Sequence, residues 1–307
     1  MKGEEYRKDF FNAFRKNFRG AENYLQVADP VKGGYLVPEE FHEEIISELK
    51  NENVLRQISR MITTATTHKI PIVSAAPAAE YVSEGGSINL SGETFAQKTL
   101  GAYKLAVAAS LTNELLSDSF FDIEAHLTQE FAAAIGAREE QAFLTGTGSG
   151  EPLGLVTQMA ADSSTTITTA GSGQLNPDDL MNLVYSLKRP YRKNAVFLLN
   201  DNTLAAIRKF KDTTLNYLWQ PQLSVEEPPR LLGFPVYTSE FVPTIASGKI
   251  AVLFGDFTRF FIGERGEMQF KPLYELNALK DMTTYLLICR SDCCLADTAA
   301  IRGLKIA

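Results

Sequence analysis

Much of what enzymes need is scarce in this chain. Its 307 residues include three histidines and three cysteines. His42, His68 and His126 fall in separate predicted elements. His42 beside Glu43 lacks the second histidine of a zinc-protease helix. Cys289, Cys293 and Cys294 crowd one late stretch with no zinc-ligand spacing. Adjacent Cys293 and Cys294 on a strand point to opposite faces, so buried, reduced thiols are expected. No apolar run approaches the length of a membrane-spanning helix. Residues 1–20 are charged and aromatic, so no signal peptide is expected and a cytoplasm is the expected folding compartment. Basic charge is short too: the net charge is −7, which excludes a protein that binds nucleic acid with most of its surface. No nucleophile elbow or dinucleotide fingerprint is present, and no cofactor or metal is expected.

The stretch that dominates the pattern runs from Thr112 to Leu155. Leu116, Phe120, Ile123, Leu127, Phe131 and Ile135 recur at helical spacing, and Phe120–Leu144 contains no proline and one glycine. Ser119 and Asp122 form a capping-box start, and Thr145-Gly146 is the expected stop. Such a helix is a rod of roughly 37 Å, long for a globular protein. Glu124, Glu130, Arg138, Glu139 and Glu140 are expected on its outer face, available to other subunits. Gly146, Gly148 and Gly150 look like a phosphate loop. They follow a helix instead of preceding one, and no Gly-Lys-Ser/Thr is present, which argues against nucleotide binding; a hydrolase or transferase at this turn fails for want of a nucleophile–base pair.

Before the rod, Tyr6, Phe10, Phe14 and Phe18 recur every four residues on a basic amphipathic segment. Docking on a partner subunit is the first reading, packing on its own domain the second, and a membrane surface the third. Pro38 opens a helix read through Ile58, its early glutamates matched to the helix dipole. Thr63 to Ser110 reads as a two-stranded excursion with a polar, glycine-bearing tip, the return strand running over residues 97–112. A hairpin alone is marginal in water, so it should lie on something else, such as another chain.

After the rod, residues 157–175 read as a connector. A compact α/β unit follows. Asn176 and Asn200 cap helices reaching Leu187 and Phe210, Ala195–Leu199 and Ile250–Phe254 are buried strands, and an edge strand surrounds Val236-Tyr237. The basic knot Lys188–Lys193 suits a helix C-terminus, with a nucleic-acid contact as the second reading. Residues 257–307 read as strands, the last one long and apolar. It is expected to pair near residue 270 and to pack on the long helix.

The order of these features carries a resemblance: EEYRKDFFNAFRKNFRG, GGYLVPEEFHEEII, NVLRQIS, the run from ETFAQKTL through the long helix to GSGEPLGL, LLGFPVYTSEFVP and VLFGDFTRFFIGER. The sequence resembles the major capsid proteins of tailed bacteriophages with the HK97 fold. That implies an α+β, HK97-like fold. Residues 1–37 would be an N-arm, 38–62 the first part of the peripheral domain, and 63–110 an E-loop. Residues 111–156 would be peripheral domain with the spine helix, 157–265 the α/β axial domain, 266–292 peripheral return strands, and 293–307 an axial C-terminal strand.

The resemblance implies a structural, non-enzymatic role: self-assembly into hexamers and pentamers of an icosahedral shell around double-stranded DNA. An encapsulin-type nanocompartment holding a protein cargo is the alternative. Assembly candidates are Tyr6, Phe10, Phe14 and Phe18 on the arm, with Glu84, Glu93, Lys98 and Lys104 of the excursion. Implied partners are further copies of the chain, packaged DNA without sequence specificity, portal, scaffolding protein and maturation protease, with no membrane. The implied location is the virion, and the host cytoplasm during assembly. Many relatives carry an N-terminal scaffolding segment that a protease removes; here it is either removed or supplied as a separate protein. Some relatives form Lys–Asn isopeptide crosslinks assisted by a glutamate. Ile88, Asp281 and Ile288 fill those positions here, so no such crosslink is expected.

Overall fold

The computed structural model describes residues 35–36, 49, 53–64, 68–75, 94–114, 123–171, 173–211, 214, 229–266 and 268–307. The aromatic arm, the excursion's tip and the capping-box start of the long helix lie outside them. So do Tyr6, Phe10, Phe14, Phe18, Glu84, Ile88 and Glu93.

In chain order the first elements are β1 (Tyr35–Leu36), α1 (Val54–Ile58), β2 (Arg60–Thr64), β3 (His68–Ala75), β4 (Thr94–Leu100), β5 (Tyr103–Thr112) and α2 (Ile123–Thr145). Then come α3 (Leu155–Ala161), β6 (Thr166–Thr168), α4 (Pro177–Ser186), α5 (Arg189–Arg192), β7 (Val196–Leu199) and α6 (Asp201–Arg208). The chain closes with β8 (Arg230–Leu231), β9 (Phe234–Thr238), β10 (Ile250–Gly255), β11 (Phe260–Arg265), β12 (Gln269–Leu273), β13 (Met282–Leu295) and β14 (Ile301–Lys305).

β13 is the strand that the first sheet is built on. It pairs antiparallel with β5 over Ser291–Met282, with β12 over Ile288–Thr284, and with β11 over Leu295–Ser291. β11 and β12 thus form one arm of a long hairpin with β13, interrupted where Gly266 adopts φ 68°. β2 runs parallel to β11, and β1 pairs with β12. The alternation of side chains then sorts two cores. Phe260, Ile262, Cys293 and Leu295 face the end of α2, with Phe143 and Leu144. Phe261 and Cys294 face the other way, onto Ile70 and Leu100. The expected opposition of the adjacent cysteines holds. Phe131 of α2 meets Phe270 with ring centroids 6.4 Å apart, and Phe270 stacks on Tyr285 at 5.5 Å. The late strand therefore packs on the long helix near residue 270, as its sequence implied.

Burial pushes the Cys289 thiol up to about 12 and holds Cys293 and Cys294 above the ordinary thiol range as well. Little thiolate exists at mild pH, so the native protein is expected to show no fast reaction with Ellman's reagent at pH ~8. All three cysteines should react after unfolding. A rapid native thiol would contradict their placement.

The second sheet has the order β6-β14-β10-β7-β9-β8. β10, buried at every position, lies at its centre between β14 and β7. Leu180, Leu183 and Val184 of α4 and Leu204 and Ile207 of α6 cover one face against Phe197, Val252 and Phe254. Asn176 and Asp179 form a capping box at α4, and Asn200 accepts the Asn202 N–H at 2.9 Å at α6. Both helix starts are where the sequence put them. α3 covers the other face: Leu155, Val156 and Met159 pack on Leu198, Ile250 and Leu253, and also on Phe143 and Leu144.

Five sequence readings need correction. Residues 157–175 are not a plain connector, because most of α3 and all of β6 lie there; α3 is the wedge between the two sheets. The helix read through Ile58 is re-started at Asn53, whose side chain accepts the Arg56 N–H at 3.2 Å and whose amide reaches the Gly136 carbonyl. The return strand over 97–112 is two strands, split at Gly101-Ala102: β4 pairs with β3, while β5 joins β13. The long terminal strand is also two, β13 and β14, one in each sheet. The edge of the second sheet is β8, with β9 one place in.

Candidate functional site

The candidate site is the hairpin β3–β4 and the root that holds it. Its strands pair only with each other among the described residues, from His68↔Leu100 to Ala75↔Thr94. A two-stranded ribbon has little stability of its own. The root supplies what the ribbon lacks. Leu100 is wholly buried against Ile70, Phe261 and Cys294. It sits there because position 263 has no side chain: a Cβ on Gly263 would lie 2.2 Å from Leu100 Cδ2. Lys98 Nζ donates to the Leu295 carbonyl at 2.8 Å.

Asp292 completes the root. Its carboxylate accepts the Gly101 N–H at 2.5 Å and the Cys293 N–H at 2.8 Å. It thereby joins the hinge between hairpin and body to the central strand. Burial raises the Asp292 pKa, against the opposing pull of those two N–H groups and of Arg265. A carboxyl whose folded pKa is raised contributes most below its unfolded pKa, and that contribution is lost as pH rises through the folded value. Asp292→Asn removes this dependence and leaves one N–H facing an amide group. The variant is expected to lose about 1–3 kcal/mol, with faster hydrogen exchange at Gly101 and along β4. Its deficit relative to the parent should widen as pH falls. Unchanged exchange in β4 would contradict the role given to Asp292.

Beneath the root lies a buried charge cluster. Arg56 donates to Glu139 Oε2 from Nε at 2.9 Å and from Nη2 at 2.6 Å, and from Nη1 to Glu264 Oε1 at 2.6 Å. Burial works against the Arg56 charge, but the two carboxylates outweigh it and hold its pKa above the usual arginine value. The cluster ties α1, α2 and β11 into one body. It also corrects the reading of the long helix: Glu139 and Glu140 are buried, so they are not on an outer face. Glu130 and Arg138 are exposed as expected, and the Glu124 side chain lies outside the described residues. The error arose because this helix is covered on more than one side.

The glycine turn after α2 is closed upon itself. Thr147 N–H and Arg138 Nη2 bind the two oxygens of Glu151 at 2.9 and 2.6 Å, which holds that carboxylate below its usual range. Gly154 N–H donates to the Gly146 carbonyl at 3.0 Å. Of the expected assembly residues, Lys98 donates to a carbonyl of its own chain, and Lys104 is exposed on β5. Asp281 adopts φ 51° at the tip of the β12–β13 hairpin, where Asn113 donates to it at 2.5 Å; Ile288 lies within β13. Among the described residues no group of three or more His, Cys, Asp or Glu could hold a metal ion.

Sequence reasoning missed Arg56, Gly263, Glu264 and Asp292. One signal was available: Asp292 and Arg290 are the charges inside the otherwise neutral run of residues 282–295.

A model of the phage capsid family matches residues 33–306. The major capsid protein of Klebsiella oxytoca phage phiKO2 is 22% identical over 249 residues, covering 77% of this chain and 57% of that protein. The major capsid protein of Escherichia phage T5 is 29% identical over 163 residues, covering 49% of this chain and 35% of that protein. The chain thus spans little more than half of the first and about a third of the second. Among solved structures, the capsid of the native GTA particle is 30% identical with TM-score 0.73, covering 82% of this chain and 89% of that one. The Mycobacterium phage Adephagia chain shares the fold at 17% identity, TM-score 0.64, covering 83% and 90%.

Proposed function

The chain belongs to the phage capsid family, and on that premise we propose that it is a major capsid protein whose copies build an icosahedral shell around double-stranded DNA. The observation that carries this reading is the hairpin β3–β4, a ribbon paired only with itself among the described residues and fixed to the body at its root. Such a ribbon gains partners when it lies on a neighbouring copy. In the proposed layout, residues 1–37 are an arm over neighbouring subunits and 63–110 the excursion onto the adjacent one. Residues 38–62, 111–156 and 266–292 make the peripheral domain, and 157–265 and 293–307 the axial one. Hexamers and pentamers form where a heterologous contact closes by rotation, and modest contacts sum because each subunit meets several others. Portal, scaffolding protein and maturation protease are the further partners of this reading. The virion is its location, reached from the host cytoplasm. The resemblance to the GTA particle's capsid favours a genome shell over a cargo-holding nanocompartment.

The shell is held without covalent links. An isopeptide needs an amine, and Ile88 offers none; Asp281 and Ile288 stand where the amide and the assisting carboxylate would be. Mature shells are expected to run as a single band on a denaturing gel, and a ladder of covalent oligomers would contradict this. Electron microscopy of the purified protein tests the function itself. Rings or closed shells are the expected result, and a persistent monomer at high concentration is the opposing one.

A further inference from the structure

The turn from Lys188 to Lys193 carries four cations in six residues of an acidic chain. Its geometry divides them. Arg192 serves the fold: Nε donates to the Leu187 carbonyl at 2.7 Å, Nη2 to the Tyr185 carbonyl at 3.2 Å, and the guanidinium lies 5.1 Å from the Tyr185 ring centroid. That is the expected use of a cation at a helix C-terminus, here α4. Tyr191 pins the turn from its other side, donating its hydroxyl to Asp297 Oδ2 at 2.5 Å. The remaining three, Lys188, Arg189 and Lys193, are exposed, and none has an ion-pair or hydrogen-bond partner for its side chain among the described residues.

Helix capping thus accounts for one cation and leaves three on a rigid turn. Like charges one helical turn apart, such as Arg189 and Lys193, repel. Among the described residues nothing offsets that cost, which leaves the three cations open to a counter-charge from outside. A carboxylate partner would need three acids packed as closely as these bases, at the same self-repulsion. A duplex presents about one negative charge per 1.7 Å of its axis, already clustered. Such a cluster meets the evenly repeated phosphates of any duplex, so the contact carries no sequence information.

We infer that Lys188, Arg189 and Lys193 form a docking patch for the phosphodiester backbone of duplex DNA, independent of sequence. The inference deepens the shell reading, on which it rests for the presence of DNA. The probe is a fluorescently labelled duplex, titrated with the full chain at several salt concentrations and in two unrelated sequences. The triple variant K188Q/R189Q/K193Q keeps Arg192 and Tyr191, which hold the turn. Relative to the parent, its slope of log K against log salt should shrink by roughly 3, about one unit per lost phosphate contact, for both sequences. Lys193→Gln alone should remove about one unit, which keeps the test decisive if the triple variant folds poorly.

Three results would overturn the patch. One is a parent chain that does not bind the duplex at low salt. Another is an unchanged slope in both variants, which would place binding elsewhere, such as the basic arm. The third is a variant that binds DNA like the parent but no longer assembles, which would assign the turn to acidic groups of a second copy. Electron microscopy of the same samples separates the two readings. Shells with unchanged DNA binding defeat the patch alone, and a lowered slope without shells from the parent defeats the shell reading alone.

Discussion

Arg56→Met is expected to lower the unfolding free energy of the purified chain by about 3–5 kcal/mol, read as a lower urea midpoint with an unchanged slope. Arg56 is almost fully buried, and so is Glu139. Removing the guanidinium leaves two carboxylates facing each other with no countercharge, which costs far more than the net worth of the pair. Methionine fills the volume of the arginine stem, so the loss reports charge and not a cavity. A second variant, Arg56→Met with Glu139→Gln and Glu264→Gln, should recover much of the deficit, because a neutral cluster carries no uncompensated charge. If Arg56→Met unfolds at the parent's midpoint, the cluster is not what joins α1 to α2 and β11.

Gly146→Ala should be nearly as damaging, at about 3 kcal/mol or more, with most of the protein insoluble on expression. A Cβ there would stand 2.2 Å from the Pro152 carbonyl oxygen and 2.4 Å from that of Ala142. Both obstacles are backbone, so no side-chain rotation relieves them. The end of α2 would have to part from the returning loop, breaking the Gly154–Gly146 hydrogen bond and shifting α3 out of the space between the sheets. Gly150 is the control. It has φ 75° and open space around its Cβ, so Gly150→Ala should cost about 1–2 kcal/mol, from conformation alone. Equal effects at the two positions would contradict the close-approach explanation.

Gly146 also marks the limit of what a sequence pattern can say. Its place at the end of the long helix was legible, and the helix does stop there. The reason was not: it lacks the positive φ of the familiar terminator and is needed because another strand of backbone passes beside it. The same division runs through the fold. Helix starts at Asn176 and Asn200 are local chemistry and could be read directly. The split of residues 97–112 at Gly101, and of the terminal strand at Ala296–Ala300, depends on which sheet each half joins, and that pairing is set by residues far away. α3 was missed because Leu155–Ala161 sits in a segment rich in Thr, Ser and Gly. Its apolar face matters only between two sheets. A charged residue on a helix usually faces water, but Glu139 faces inward to a partner 83 positions earlier in the chain.

The root of the hairpin was the least legible part. Its pieces, Lys98, Leu100, Gly101, Gly263 and Asp292, come from three strands and the break after one of them, and share no motif. Only the excursion itself, too long to stand alone, announced that something must hold it.

The most direct test of the central claim is a cryo-electron microscopy reconstruction of particles from cells expressing the chain. The expected map is a closed icosahedral shell in which the β3–β4 hairpin leaves its own body at Gly101 and lies on the adjacent subunit. A map with the hairpin folded back onto its own chain, or particles that never close into a shell, would contradict it.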